Sequence, residues 1–289
     1  MFTVAVSVVA AALLGVTAVR ALDAHAGVAS IAPVEGDDAG TVPTSAPRAT
    51  LPAPSALAVT PRLSPKPVPS APIPPGGLDC RLTSCVALTF DDGPGPYTQR
   101  LLDELEAAHA TATFFLVGEQ AQSYPAAVHR EFSDGFEIGN HTWDHKDLTT
   151  LSPADATAEI SRTADLLESM TGTRPTLLRP PYGAHNPAVD ALVGSPEILW
   201  SVDTVDWRDR DAAIVASRAV LEAKPGAIIL MHDIHPTTVD AVPTILQSLH
   251  DAGYTFVTVS QLLAARTLEP GVAYFDQQSE GAAPPVSGE

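Results

Sequence analysis

Between residues 79 and 265, short apolar runs alternate with longer stretches whose apolar positions recur every three or four residues. The short runs are Val86–Phe90, Thr113–Val117, Glu197–Val202, Ala227–Met231 and Tyr254–Val259, rich in β-branched and aromatic residues, and they predict strands. The stretches 97–109, 152–172, 211–223 and 237–251 predict helices. The clearest opens at Ser152-Pro153, an N-cap residue followed by proline in the first turn. It carries Ile160, Ala164 and Leu167 on one face and stops at Gly172. Strand and helix in alternation predict an α/β fold with a parallel sheet, either open or closed into a barrel. No internal repeat is visible.

The flanks follow different rules. Residues 2–19 form an uncharged apolar run, and Ala24-His25-Ala26 then supplies a small-x-small cleavage pattern. Residues 1–26 are read as an export signal or as an uncleaved membrane anchor, since the run is just long enough to span a bilayer. Its one departure from the usual signal is that Arg20 follows the apolar run and no Lys or Arg precedes it. Residues 27–78 hold twelve of the 27 prolines among Ala, Ser, Thr and Val, a composition that stays extended and builds no core. This segment is read as a linker, 79–266 as the folded domain, and 267–289 as a flexible tail.

Composition narrows the partners. The formal net charge of −18 argues against nucleic acid, because binding phosphates needs Lys and Arg. The two cysteines, Cys80 and Cys85, are too few for a cysteine-built zinc site. Export favours a disulfide between them; a cytosolic chain would keep two thiols.

In parallel α/β folds the active site gathers at the C-terminal ends of the strands. Here polar residues repeatedly interrupt apolar runs at that end. Val86–Phe90 leads into Asp91-Asp92-Gly93-Pro94, where one carboxylate can bind a metal and the other take a proton, although Asp-Gly-Pro is also ordinary turn chemistry. His141 and His145 stand four apart, a spacing that puts two imidazoles on one side of a helical turn. Asp92, His141 and His145 together would form a two-His, one-carboxylate metal site with a position left for water. Arg179-Pro180-Pro181-Tyr182-Gly183 follows an apolar run, and its arginine can pair with a carboxylate. Trp200 to Trp207 places Asp203 and Asp206 at another strand end, and Ile228–Met231 terminates on His232.

Taken in order, Thr89–Pro94, His141–His145, Arg179–Tyr182, Asp203–Trp207 and Leu230-Met231-His232 resemble the five motifs of the NodB-homology polysaccharide deacetylases, carbohydrate esterase family 4. The resemblance covers roughly residues 80–262. It implies a distorted (β/α) barrel of parallel strands. It also implies a divalent metal, zinc with cobalt or nickel as substitutes, on Asp92, His141 and His145. Asp91 is implied as the general base toward the attacking water and His232 as the acid that protonates the departing amine. Asp206 would keep His232 charged, Arg179 would hold Asp91 ionised and oriented, and the backbone N–H of Tyr182 would stabilise the oxyanion. Trp207 and Leu230, with Pro181 and Tyr182, would line the substrate site. His235 competes with His232 for the acid role; His232 is preferred because it directly ends the strand. The expected activity is removal of N-acetyl groups from a GlcNAc-containing polysaccharide by a monomer outside the cytoplasm, its N-terminal segment offering a membrane tether. An O-deacetylase such as an acetylxylan esterase and a non-catalytic carbohydrate-binding relative are the alternatives.

Overall fold

The computed structural model describes residues 78–279, so the expected signal or anchor and the linker lie outside the described residues. The chain runs β1 (Cys85–Asp91), α1 (Thr98–Ala107), β2 (Thr113–Leu116), α2 (Gly118–Ser123), α3 (Pro125–Ser133) and β3 (Glu137–Asn140). It continues through α4 (Pro153–Thr171), α5 (Pro187–Asp190), β4 (Glu197–Ile198), β5 (Val202–Asp203), α6 (Asp206–Asp209) and α7 (Ala212–Glu222). It ends with β6 (Ile228–His232), α8 (Pro236–Asp251), β7 (Thr255–Val257), α9 (Val259–Leu262) and β8 (Ala273–Tyr274).

Every paired strand is parallel to its neighbour. The main sheet has the order β3-β2-β1-β6-β5, with β7 pairing the start of β1. Leu178 bridges Asn140 at the end of β3 to Glu197 at the start of β4, and the chain then bends into β5 against β6. The strands thus close on themselves as a distorted barrel. Residues 197–202, expected as one strand, are two short ones. Glu197–Ile198 pairs with β8 and Val202–Asp203 with β6, because the segment must turn from one neighbour to the other.

β1, β2 and β6 are largely apolar because both faces are covered. On β1, Val86, Leu88 and Phe90 pack toward the helices with Ile229 and Met231 of β6. Cys85 and Ala87 face the barrel interior with Ile228, Phe115, Ile198 and Tyr274. Side chains alternate along a strand, so Thr89, Asp91, Leu230 and His232 share the interior parity. The parallel register sets Asp91 opposite His232. Two motifs distant in sequence therefore meet at the C-terminal rim.

Helix α4 forms as expected: the Ser152 hydroxyl accepts the Asp155 N–H, Pro153 opens the helix, and Gly172 closes it with φ of 77°. Cys80 and Cys85 are joined as a disulfide with Cα atoms 5.4 Å apart. The boundary expected at 266 falls short. Residues beyond it supply β8, and Ala273, Tyr274 and Phe275 are buried at 3%, 1% and 3% exposure. The alternation in this stretch is too brief to read as a strand, and it becomes one by pairing with β4.

Candidate active site

The loop after β1 places Asp92 at φ of 68°, turning its carboxylate toward the loop after β3. Asp92 Oδ1 lies 3.5 Å from His141 Nε2 and 3.3 Å from His145 Nε2. The two imidazole centroids are 4.9 Å apart. His141 and His145 do not lie on a helical turn. Thr142 and His145 have φ of 67° and 62°, and the local backbone donors go to side chains instead. Asn140 Oδ1 accepts the Thr142 N–H at 2.8 Å. The Glu159 carboxylate, from α4, accepts the Trp143 and Asp144 N–H groups at 3.0 and 3.2 Å. The four-residue spacing still brings both rings to one point.

This trio fits a divalent cation on its own chemistry. Asp92 Oδ1 is buried and has no hydrogen-bond partner, a costly state unless an ion or a proton donor faces it. His141 Nδ1 is 2.7 Å from the Arg179 carbonyl oxygen; as a donor there, it leaves the Nε2 lone pair facing Asp92. Burial would raise the Asp92 pKa, but the nearby imidazoles, His141 first, win and hold it below the usual carboxylate range. Burial, then the charge of His141, lower His145.

Asp91 lies beneath, its Oδ2 3.7 Å from His141 Nε2. Its Oδ1 accepts a 2.7 Å hydrogen bond from the fully buried Arg179 guanidinium. Arg179 spends its other donors on Thr89 Oγ1 and on the carbonyls of Ile198 and Leu199. Its guanidinium also lies 4.1 Å from the centre of the Phe115 ring. A buried arginine with all three guanidinium nitrogens hydrogen-bonded is a fixed charge, and it fixes Asp91.

Across the rim, His232 Nδ1 is 2.8 Å from Asp206 Oδ1. The fully buried Asp206 also accepts the His232 backbone N–H and the Thr238 hydroxyl, each at 2.7 Å. Burial pushes His232 down, but the Asp206 hydrogen bond and charge carry its pKa up to about 9. His235, the competing histidine, instead contacts Arg210, and burial followed by that cation lowers its pKa. The two histidines thus differ in kind: one has its pKa raised, the other lowered.

Tyr182 sits in a 3₁₀ turn at φ of 61°, with its ring centroid 4.6 Å from that of His145. Such a conformation costs a non-glycine residue about 1–3 kcal/mol and recurs at functional sites. Tyr182 and Trp207 are exposed at the rim, at 69% and 48%, while Leu230 is buried. Pro181 is also buried, so it shapes the turn. His185 is part-buried and sits apart, beside Asp190.

The structure adds residues that the sequence reading missed. Glu159 braces the histidine loop, Thr89 supports Arg179, and Thr238 supports Asp206. Asp233 is fully buried behind the rim, hydrogen-bonded by Thr98, with its carboxylate against Gly93, where a Cβ would collide. Only the Asp-Gly-Pro turn hinted at Gly93; the others are single polar residues without a local pattern.

The family model for polysaccharide deacetylase matches residues 79–195. The peptidoglycan-N-acetylglucosamine deacetylase PgdA of Listeria monocytogenes is 44% identical over 193 residues, covering 66% of this chain and 41% of that protein. Among solved structures, "T48 deacetylase with substrate" is 50% identical with a TM-score of 0.67, covering 68% of this chain and all of that one. The peptidoglycan deacetylase PdaC of Bacillus subtilis is 42% identical with a TM-score of 0.63, covering 65% of this chain and 93% of that structure. The chain spans about two fifths of the full length of the curated relatives PgdA and PdaC. Fold, ordered motifs and these similarities lead to one statement: the chain belongs to the polysaccharide deacetylase family, the NodB-homology group of carbohydrate esterase family 4.

Proposed function

We propose that this protein is a metal-dependent hydrolase that removes N-acetyl groups from a GlcNAc-containing cell-wall polysaccharide, with peptidoglycan as the favoured polymer. The observation that carries it is the convergence of Asp92, His141 and His145 around the partnerless Asp92 Oδ1. These three residues would hold the cation, which when bound acts as a Lewis acid toward water and the acetyl carbonyl. Two imidazole nitrogens and one carboxylate suit zinc, with cobalt or nickel as substitutes.

The protein's own groups divide the remaining work. Asp91, fixed by Arg179, takes the proton from the attacking water. The Tyr182 N–H, in the strained 3₁₀ turn beside His145, donates to the oxyanion. His232, held charged by Asp206, gives its proton to the departing amine, a leaving group that needs one. Trp207 and Leu230 bound the space for the acetyl methyl. A site whose outer residues, Tyr182 and Trp207, stand exposed at the rim suits a polymer lying across it. PgdA and PdaC carry peptidoglycan in their names, which supports the organism's own wall as the substrate and a location outside the cytoplasm. Among the described residues no helix is long and apolar enough to cross a membrane, so a tether would fall to residues 1–26. The working form proposed is a monomer.

A paired substitution tests this assignment. His141→Ala should lose bound metal and acetate release together. Asp91→Asn should keep the metal, read by plasma emission, while turnover falls by roughly 10²–10⁴. Full activity in either variant refutes the role given to that residue.

A further inference from the structure

A second trio on the barrel, one imidazole and two carboxylates, gathers its ligand atoms about as closely as the first. His185 Nδ1 lies 3.3 Å from Asp190 Oδ1 and 3.9 Å from Glu197 Oε2. One ligand atom from each of the three lies within 4.8 Å of the others. The shorter separation matches the edge of a tetrahedron with bonds of about 2.0–2.1 Å, which is about 3.3 Å, and the longer exceeds it. They also resemble the 3.5 and 3.3 Å separations around Asp92.

An independent observation points to a missing partner. The Glu197 side chain is fully buried, yet neither of its carboxylate oxygens accepts a hydrogen bond. Its neighbours in the trio are a second carboxylate and an imidazole. A buried carboxylate facing another carboxylate is unstable unless a proton or a cation lies between them.

The backbone holds the three ligands in place. Asn186 caps α5 by accepting the Ala188 and Val189 N–H groups, which sets Asp190 at the end of that helix. Glu197 opens β4 and is pinned by its N–H to the Val272 carbonyl and by its bridge to Leu178. Gly271 packs so closely on the Asp190 backbone that a Cβ there would collide with it.

We propose that His185, Asp190 and Glu197 form a second divalent-cation site, separate from the catalytic one, that takes a borderline metal such as Zn2+ through one nitrogen and two oxygens. Its role is structural. His185 lies three residues after Tyr182, and Glu197 belongs to the barrel wall. A cation shared by both fastens the Tyr182 loop to the sheet. The alternative occupant is a proton shared between Asp190 and Glu197.

Zinc stoichiometry separates the two. The full chain is stripped with chelator, dialysed against micromolar Zn2+, and its zinc per chain is measured by plasma emission. The expected values are two for the unaltered chain, one for H141A, one for H185A and none for the double variant. Glu197→Gln keeps the shape of the side chain and removes its charge. It should also read one, with an unchanged circular dichroism spectrum, which guards against a misfolded H185A. Zinc that falls to zero in H141A, or that stays at the wild-type value in both H185A and E197Q, overturns the second site. The two substitutions empty different sites, so failure here leaves the catalytic reading to its own test.

Discussion

Single side chains matter here mainly through what fixes them. Asp206 accepts four donors: the His232 ring, the His232 N–H, the Trp207 N–H and the Thr238 hydroxyl. It keeps His232 protonated up to about pH 9. Removing that charge in Asp206→Asn lowers the His232 pKa toward the ordinary imidazole value of about 6.5. A group with a raised pKa loses its proton as pH rises, so the alkaline limb of kcat/KM should move to lower pH. The ratio of activity at pH 6 to that at pH 8.5 should rise as well. A limb that stays in place contradicts the acid role. The residues proposed to react stood out in the sequence, because Asp, His and Arg at the ends of apolar runs have no business in a core. The supports were not. Thr238, Thr98 and Glu159 are common residues in helices, and only the folded chain shows what they touch.

Among elements, β1 and β6 were readable from their apolar runs. Their alternation, together with the register that sets Asp91 opposite His232, explains why two motifs so distant in sequence share a site. Helix α4 was also readable, from its cap, proline and glycine. Its inner face was readable only in part: Ala164 and Leu167 are buried as expected, but Glu159 is buried there too, beside Ala156 and Thr163. That carboxylate holds the backbone of Trp143 and Asp144 between the two histidines. The i, i+4 spacing suggested a helical turn, but donors spent on side chains make it a loop. Glu159→Ala should weaken zinc affinity by roughly 10–100-fold in a competition with a chromophoric chelator. Ser152→Ala serves as its control, removing the cap of the same helix at a cost of about 1 kcal/mol. It should lower the melting temperature by roughly 2–4 °C and leave zinc affinity alone. Equal affinity losses in both variants would mean that α4 acts only through overall stability.

For the molecule as a whole, the alternation of elements was enough for a parallel α/β architecture. Barrel closure was expected only from the family resemblance, because it depends on a single bridging residue, Leu178, and on a strand broken in two. The C-terminal boundary was misplaced for a related reason: β8 is two residues long and gains its order from β4. Tyr274 and Phe275 are buried, and each such side chain contributes roughly 1.5–3 kcal/mol. A chain ending at 266 should therefore lose more than about 3 kcal/mol in urea unfolding, a large share of the roughly 5–15 kcal/mol typical of a domain. A chain ending at 279 should match the full chain. Equal stability of all three would return 267–279 to the status of a tail.

The most direct test of the central claim is acetate release by the full chain, with and without chelator, on purified peptidoglycan, chitopentaose and acetylated xylan. Chelator-sensitive release from peptidoglycan, restored by added zinc, is the predicted result. Release only from acetylated xylan, or release from the N-acetylated polymers that chelator leaves untouched, would contradict it.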